Sequence, residues 1–157
     1  MNNVELRPVE PNDESFLVQL YADTRADELA EVPWTDEQKR MFLEQQFAAQ
    51  DSAYRQNYPD ALFSLITMNG APIGRLYVTR LGADELRIID IALLAVHRNA
   101  GIGTALIRDV MADADRERLT ISLHVEQWNP ALHLYERLGF VRAGENDVHV
   151  RMECAPS

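Results

Sequence analysis

Hydrophobic positions recur along this chain with two periods, every second residue in some stretches and every third or fourth in others. Val4-Glu5-Leu6-Arg7 alternates and predicts an edge strand stopped by Pro8. Asn12-Asp13-Glu14 offers a helix cap ahead of Phe16, Leu17, Leu20 and Tyr21 at helical spacing. Pro33 interrupts that pattern. Thr35 caps a second helix, running through Met41, Phe42 and Phe47 to about Tyr54 and closed by Asn57-Tyr58-Pro59. Ala61 to Met68 and Ile73 to Thr79 predict two strands joined at Asn69-Gly70, the strongest hairpin signal in the chain. Leu86 to Val96 predicts a third long strand.

A helix follows, with Ile102, Leu106 and Val110 on one stripe widened by Ile107, Met111 and Ala114, and Arg108, Asp109, Asp113 and Asp115 facing away. Ile121, Leu123 and Val125 alternate with Ser122, His124 and Glu126 and predict a strand. Asn129-Pro130 caps a short helix with Ala131, Leu134 and Leu138 buried and Gly139 as its stop. Phe140 to Arg142 and Val148 to Met152 predict two closing strands. The order predicts an α/β chain, a single domain over residues 1–157 with a mixed β-sheet flanked by helices.

The 157 residues suffice for one domain with a real core. A net charge of −10 repels phosphate backbones and anionic membrane surfaces, so neither nucleic acid nor membrane is an expected partner. It attracts a cationic substrate such as an amine. Cys154 is the sole cysteine, which excludes a disulfide framework within one chain. No basic-then-apolar leader and no spanning apolar run is present, so a cytoplasmic setting is expected.

The richest chemistry lies in Arg98-Asn99-Ala100-Gly101-Ile102-Gly103, between the third long strand and its helix. The first N–H groups of a helix lack intrahelical partners and the helix dipole favours an anion there. Glycines let backbone approach that anion, and Arg98 adds positive charge. A plain strand-to-helix turn is the alternative. The sequence is not a P-loop, because Gly103 is followed by Thr104-Ala105 with no lysine. Nor is it a dinucleotide fingerprint, because Leu106 stands where a small residue is needed.

Ile91 to Leu106, containing Arg98-Asn99-Ala100-Gly101-Ile102-Gly103, resembles the acyl-CoA signature Arg/Gln-x-x-Gly-x-Gly/Ala of the GNAT superfamily of N-acetyltransferases. Asn129 to Phe140 is similar to that superfamily's helix ending in Leu-Tyr-x-x-Leu-Gly-Phe. Asn99 replaces a common glycine, a tolerable change because asparagine accepts positive φ, and Ala95 replaces a frequent proline. The resemblance implies the GNAT (acyl-CoA N-acyltransferase) fold and acetyl-CoA as cosubstrate. The coenzyme A diphosphate would lie on the turn formed by Arg98, Asn99, Ala100, Gly101, Ile102, Gly103 and Thr104. The pantetheine arm would pair with backbone of Leu93, Leu94, Ala95 and Val96, with Asn129 touching the arm and Tyr135 near the sulfur.

Acetyl transfer needs a neutral amine, donors for the thioester oxygen and a proton for the departing thiolate. Backbone N–H groups near Leu93 and Leu94 are candidates for the second need. Tyr135 is the family-matched acid, its alternative being an amphipathic packing residue. Asp90, His124 and Glu126 are equal candidates for the base, each with a structural alternative. Trp34, Tyr54, Tyr58, Arg25 and Glu28 are candidates to line the acceptor pocket; packing, or for Arg25 and Glu28 a mutual ion pair, is the alternative. His97, His133 and His149 have no metal-ligand spacing, so no metal is expected. The sequence thus supports direct acetyl transfer to a primary amine of a small molecule. The alternatives are a protein N-terminal (ribosomal-protein-type) acetyltransferase and a non-catalytic acyl-CoA sensor. The acceptor is a small-molecule amine or a peptide, and a homodimer is compatible with the resemblance.

Overall fold

The computed structural model describes residues 3–157. Seven strands form one mixed sheet flanked by helices, in the order β1-β2-β3-β4-β5-β7-β6. By chain contacts the residues fall into two compact units, one reaching Tyr77 and including Asp90–Gly103, the other comprising Val78–Ile89 and Thr104–Ser157.

In the first unit, β1 (Val4–Pro8) runs antiparallel to β2 (Leu62–Met68), with Leu6 opposite Ile66. Pro8 closes the strand opposite Ser64, as an edge position allows. Asp13 does not cap the helix that follows. Its carboxylate instead accepts from Arg7 at 2.8 and 2.9 Å and from the Glu10 N–H at 2.7 Å, ending a 3-10 turn over Pro11–Asp13. The Arg7 guanidinium holds that carboxyl down at about 2, well below the usual aspartate range. The helix α1 (Glu14–Ala30) then buries Leu17, Leu20, Tyr21 and Leu29. The expected capping by Thr35 is present: it accepts from the Gln38 N–H at 3.1 Å while Gln38 returns a bond to the Thr35 N–H. The helix α2 (Asp36–Asn57) extends three residues beyond the expected end at Tyr54. Leu17, Tyr21, Phe47 and Leu65 form a common core, with Tyr21 edge-on to Phe47.

The β2–β3 turn places Asn69 and Gly70 at φ 52° and 87°, the two left-handed residues a tight hairpin turn requires. The strand β3 (Ala71–Leu81) is buried on both faces around Leu76 and Tyr77. The strand β4 (Glu85–Leu93) ends three residues before the expected Val96. Backbone hydrogen bonding explains the shortening: His97 N–H and Arg98 N–H turn back to Leu94 and Ala95, making a 3-10 turn over Ala95–His97.

In the second unit, α3 (Ile102–Arg116) buries Leu106, Ile107, Val110 and Ala114, the stripe expected from its spacing. The strand β5 (Thr120–Glu126) is parallel to β4 over three pairs, the last being Arg87 with Ser122. It is antiparallel to β7 (His149–Cys154) along its length. The short helix α4 (Ala131–Arg137) starts where Asn129 Oδ1 accepts from the Ala131 N–H at 2.9 Å, so Asn129 caps it as expected. Gly139, at φ 106°, ends it, and β6 (Val141–Glu145) pairs with β7 as an edge strand.

Candidate active site

The segment after β4 is held by turns and left-handed residues. Asn99 adopts φ 61° and Gly101 φ 84°, on either side of Ala100, and α3 begins at Ile102. Asparagine at position 99 therefore sustains the conformation a glycine would take. At Gly101 an added Cβ meets nothing within 4 Å, so positive φ, and not space, selects glycine there. Gly103 is a different case, since its Cβ would lie an ordinary 3.9 Å from Leu93 Cδ1. Residues 98 to 101 are exposed, and the fifteen-residue α3 opens with N–H groups that have no intrahelical acceptor. Exposed, glycine-bearing backbone at the positive end of a helix dipole fits a diphosphate.

Arg98 does not reach out over this turn. Its Nε donates to the Leu93 carbonyl at 2.9 Å and its Nη2 to Asp23 Oδ2 at 3.3 Å. Asp23 Oδ2 also accepts from the Ala95 N–H at 2.6 Å. The Leu94 N–H donates to the Ile73 carbonyl at 2.9 Å. Neighbouring groups of the same unit thus take up the Leu93 carbonyl and the N–H groups of Leu94 and Ala95. For the same reason the Leu94 N–H is not an open donor for a thioester oxygen. Val96, with 84% of its surface exposed, carries no packing role.

Gly74 was not among the expected site residues, yet it fixes the end of β4. A Cβ there would lie 2.2 Å from the Ala92 carbonyl and 3.1 Å from Leu93 Cα. Backbone cannot yield as a flexible side-chain tip does. Gly74→Ala is expected to cost about 3 kcal/mol, the upper part of the usual overpacking range, read as a fall in the urea midpoint at unchanged m-value. The signal was legible: glycine inside a strand pattern marks close backbone approach.

Asp90 sits in a buried polar cluster. It is ion-paired with Arg75, whose side chain is 5% exposed against 18% for Asp90. Arg75 also donates to Gln50 Oε1 at 2.7 Å, and the Tyr54 hydroxyl donates to Asp90 Oδ2 at 3.3 Å. The Arg75 guanidinium lies 4.9 Å from the centre of the Tyr77 ring. Burial, then the Asp90 charge, pushes the Tyr54 phenol above its ordinary range. Two expected site residues, Tyr54 and Asp90, are thus brought together. Gln50, Arg75 and Tyr77 were not anticipated, although an arginine inside an apolar strand is itself a signal for a buried partner.

Trp34 is 42% exposed and stands edge-on to Phe42 at 5.2 Å. Arg25 pairs with Glu28 at 3.3 Å and lies over the Tyr21 ring at 5.2 Å, as the ion-pair alternative requires.

In the second unit, His124 is exposed on β5 opposite Arg151, and Glu126 lies opposite His149. Partial burial, together with Arg87 and Arg151, pushes the His124 imidazole below its ordinary pKa, so it is neutral at pH 7. The neighbouring Ser122 is fully buried, donates to Glu85 and accepts from Arg87 Nε at 3.1 Å. Tyr135 is 7% exposed, its ring edge-on to Phe140 at 5.6 Å, and its carbonyl accepts from the Phe140 N–H. The Leu-Gly-Phe ending of α4 therefore holds the Tyr135 ring in a fixed orientation.

Residues 17–140 match the Acetyltransferase (GNAT) family. No curated protein matches the chain by sequence. Among solved structures, the PaiA N-acetyltransferase of Thermoplasma acidophilum, in complex with coenzyme A, is similar at 15% identity and TM-score 0.74, covering 98% of this chain and 99% of that one. A spermidine N-acetyltransferase SpeG chimera from Vibrio cholerae and hSSAT is 22% identical with TM-score 0.67 (97% and 95% covered). The ribosomal-protein-S18-alanine N-acetyltransferase of Escherichia coli is 22% identical with TM-score 0.63 (100% and 95% covered). At such identities the neighbours establish the fold, and the family match establishes membership. The chain belongs to the GNAT acetyltransferase family and is an acetyl-CoA-dependent acetyltransferase.

Proposed function

We propose that the protein transfers the acetyl group of acetyl-CoA directly to a primary amine of a small-molecule acceptor. The exposed left-handed turn at Asn99 and Gly101, leading into α3, carries this reading. Its N–H groups would hold the diphosphate, with the backbone near Val96 beside the pantetheine arm. Acetyl-CoA supplies an acyl group already activated as a thioester. Two proton movements fall to the protein. Tyr135 gives its phenolic proton to the departing sulfur, the role for which a phenol is suited at neutral pH.

His124 receives the proton of the attacking amine. It is neutral at pH 7, whereas Asp90 Oδ2 is already committed to Arg75 and Tyr54. Cys154, exposed to a limited degree near the chain end with its thiol raised by burial, is unsuited to carry an acyl group. The unit containing α1 and α2 bears twice as many acidic as basic side chains (14 against 7), which favours a cationic acceptor.

Calorimetry with acetyl-CoA, followed by thiol release against panels of amines and peptides, tests the reading. Binding and amine-dependent release are expected. The release rate should fall as pH drops through the His124 transition, below the ordinary imidazole value of about 6.5, because the imidazolium cannot accept a proton. Binding without release on any acceptor would make the protein a sensor, and release on peptides alone would make it a protein acetyltransferase. Unaltered turnover in His124→Ala with loss in Asp90→Asn or Glu126→Gln would move the base to that strand residue.

A further inference from the structure

We infer that Asp23 is a positioning residue for the cofactor turn, fastening α1 to the end of β4 through Ala95 and Arg98. The inference rests on the reading that this turn receives the coenzyme A diphosphate. One carboxylate oxygen, Asp23 Oδ2, accepts both from the Ala95 N–H at 2.6 Å and from Arg98 at 3.3 Å, while Arg98 Nε holds the Leu93 carbonyl at 2.9 Å. Two backbone groups of one short segment, the Leu93 carbonyl and the Ala95 N–H, are therefore held by the paired side chains of Arg98 and Asp23.

Ala95, Val96 and residues 98 to 101 are exposed; beside the Leu94 bond to Ile73, two 3-10 bonds, His97 to Leu94 and Arg98 to Ala95, are the segment's backbone contribution. With no apolar packing on Val96, the polar ties set the conformation from which Asn99 and Gly101 turn into α3. Hydrogen bonds to ionised groups are the strong ones, and a carboxylate shared by an amide and a guanidinium has both. Arg98 also neutralises Asp23, a negative charge that would otherwise oppose a diphosphate. The guanidinium thus acts on the ligand through the shape of the turn, and the grip on phosphate belongs to backbone N–H groups.

The test is a double-mutant cycle on coenzyme A affinity, measured by calorimetry on wild type, Asp23→Ala, Arg98→Gln and the double variant, with circular dichroism to verify folding. Each single change is expected to weaken binding about tenfold, the double no more than the worse single. Asp23→Asn, whose amide oxygen still accepts from Ala95, should recover part of the loss. The salt dependence of affinity should be the same in the double variant as in wild type, since a neutral pair is removed and no phosphate contact is lost. Unchanged or tighter binding by Asp23→Ala, additive losses, or a flattened salt dependence in the double variant would overturn the inference. Absence of binding by the wild type would instead overturn the cofactor reading beneath it.

Discussion

Arg75→Met is expected to lower the stability of the protein by about 3–5 kcal/mol, the usual cost of leaving one partner of a buried ion pair behind. The reason is Asp90. With Arg75 gone, its carboxylate keeps the Tyr54 hydroxyl at 3.3 Å but loses its one neutralising charge among the residues paired with it. Gln50 loses the donor to its Oε1 at the same time. A methionine fills the aliphatic part of the space and leaves the Tyr77 ring covered, so the loss measures charge and not volume. Urea unfolding monitored by Tyr and Trp fluorescence should show the shift. Arg75→Met combined with Asp90→Leu should recover most of it, because replacing both charges removes the orphaned carboxylate. If the single variant is as stable as wild type, the Arg75–Asp90 pair makes no net contribution to stability.

Tyr135→Phe is expected to reduce kcat about 10²- to 10⁴-fold, the range for loss of a positioned acid or base, while coenzyme A affinity stays near wild type. The substitution removes one oxygen and preserves the edge-on contact with Phe140, so α4 and its Gly139 stop should be undisturbed. Removal of an interaction made only during reaction lowers kcat and kcat/KM together and leaves binding alone. Steady-state thiol release beside calorimetry separates the two quantities. Full turnover by the phenylalanine variant would leave Tyr135 as a packing residue and require another proton source for the thiolate.

Much of this architecture is legible in the sequence. The capping box at Thr35, the Asn69-Gly70 turn and the buried stripe of α3 each depend on local chemistry, which a sequence carries in full. The left-handed Asn99 was legible for the same reason. What local pattern could not reveal was competition for hydrogen bonds by residues far along the chain. Val96 continues an apolar run, yet β4 stops at Leu93 because Asp23 takes the Ala95 amide and the chain turns over Ala95–His97. Asp13 looks like a helix cap and serves Arg7 instead. Asp90 looks like a free strand carboxylate, and its partner lies 15 residues away on another strand. Arg98 looks like a phosphate ligand from its motif, whereas its direction is set by a carboxylate 75 residues earlier.

Gly74 has a consequence for how this enzyme can diversify. With the Ala92 carbonyl standing where any methyl group would go, the crossing of β3 and β4 is closed to mutation. If Trp34 lines the acceptor pocket as proposed, adaptation to a new acceptor has room in the exposed loop around it. A library built to retarget the protein should hold residue 74 constant and randomise that loop.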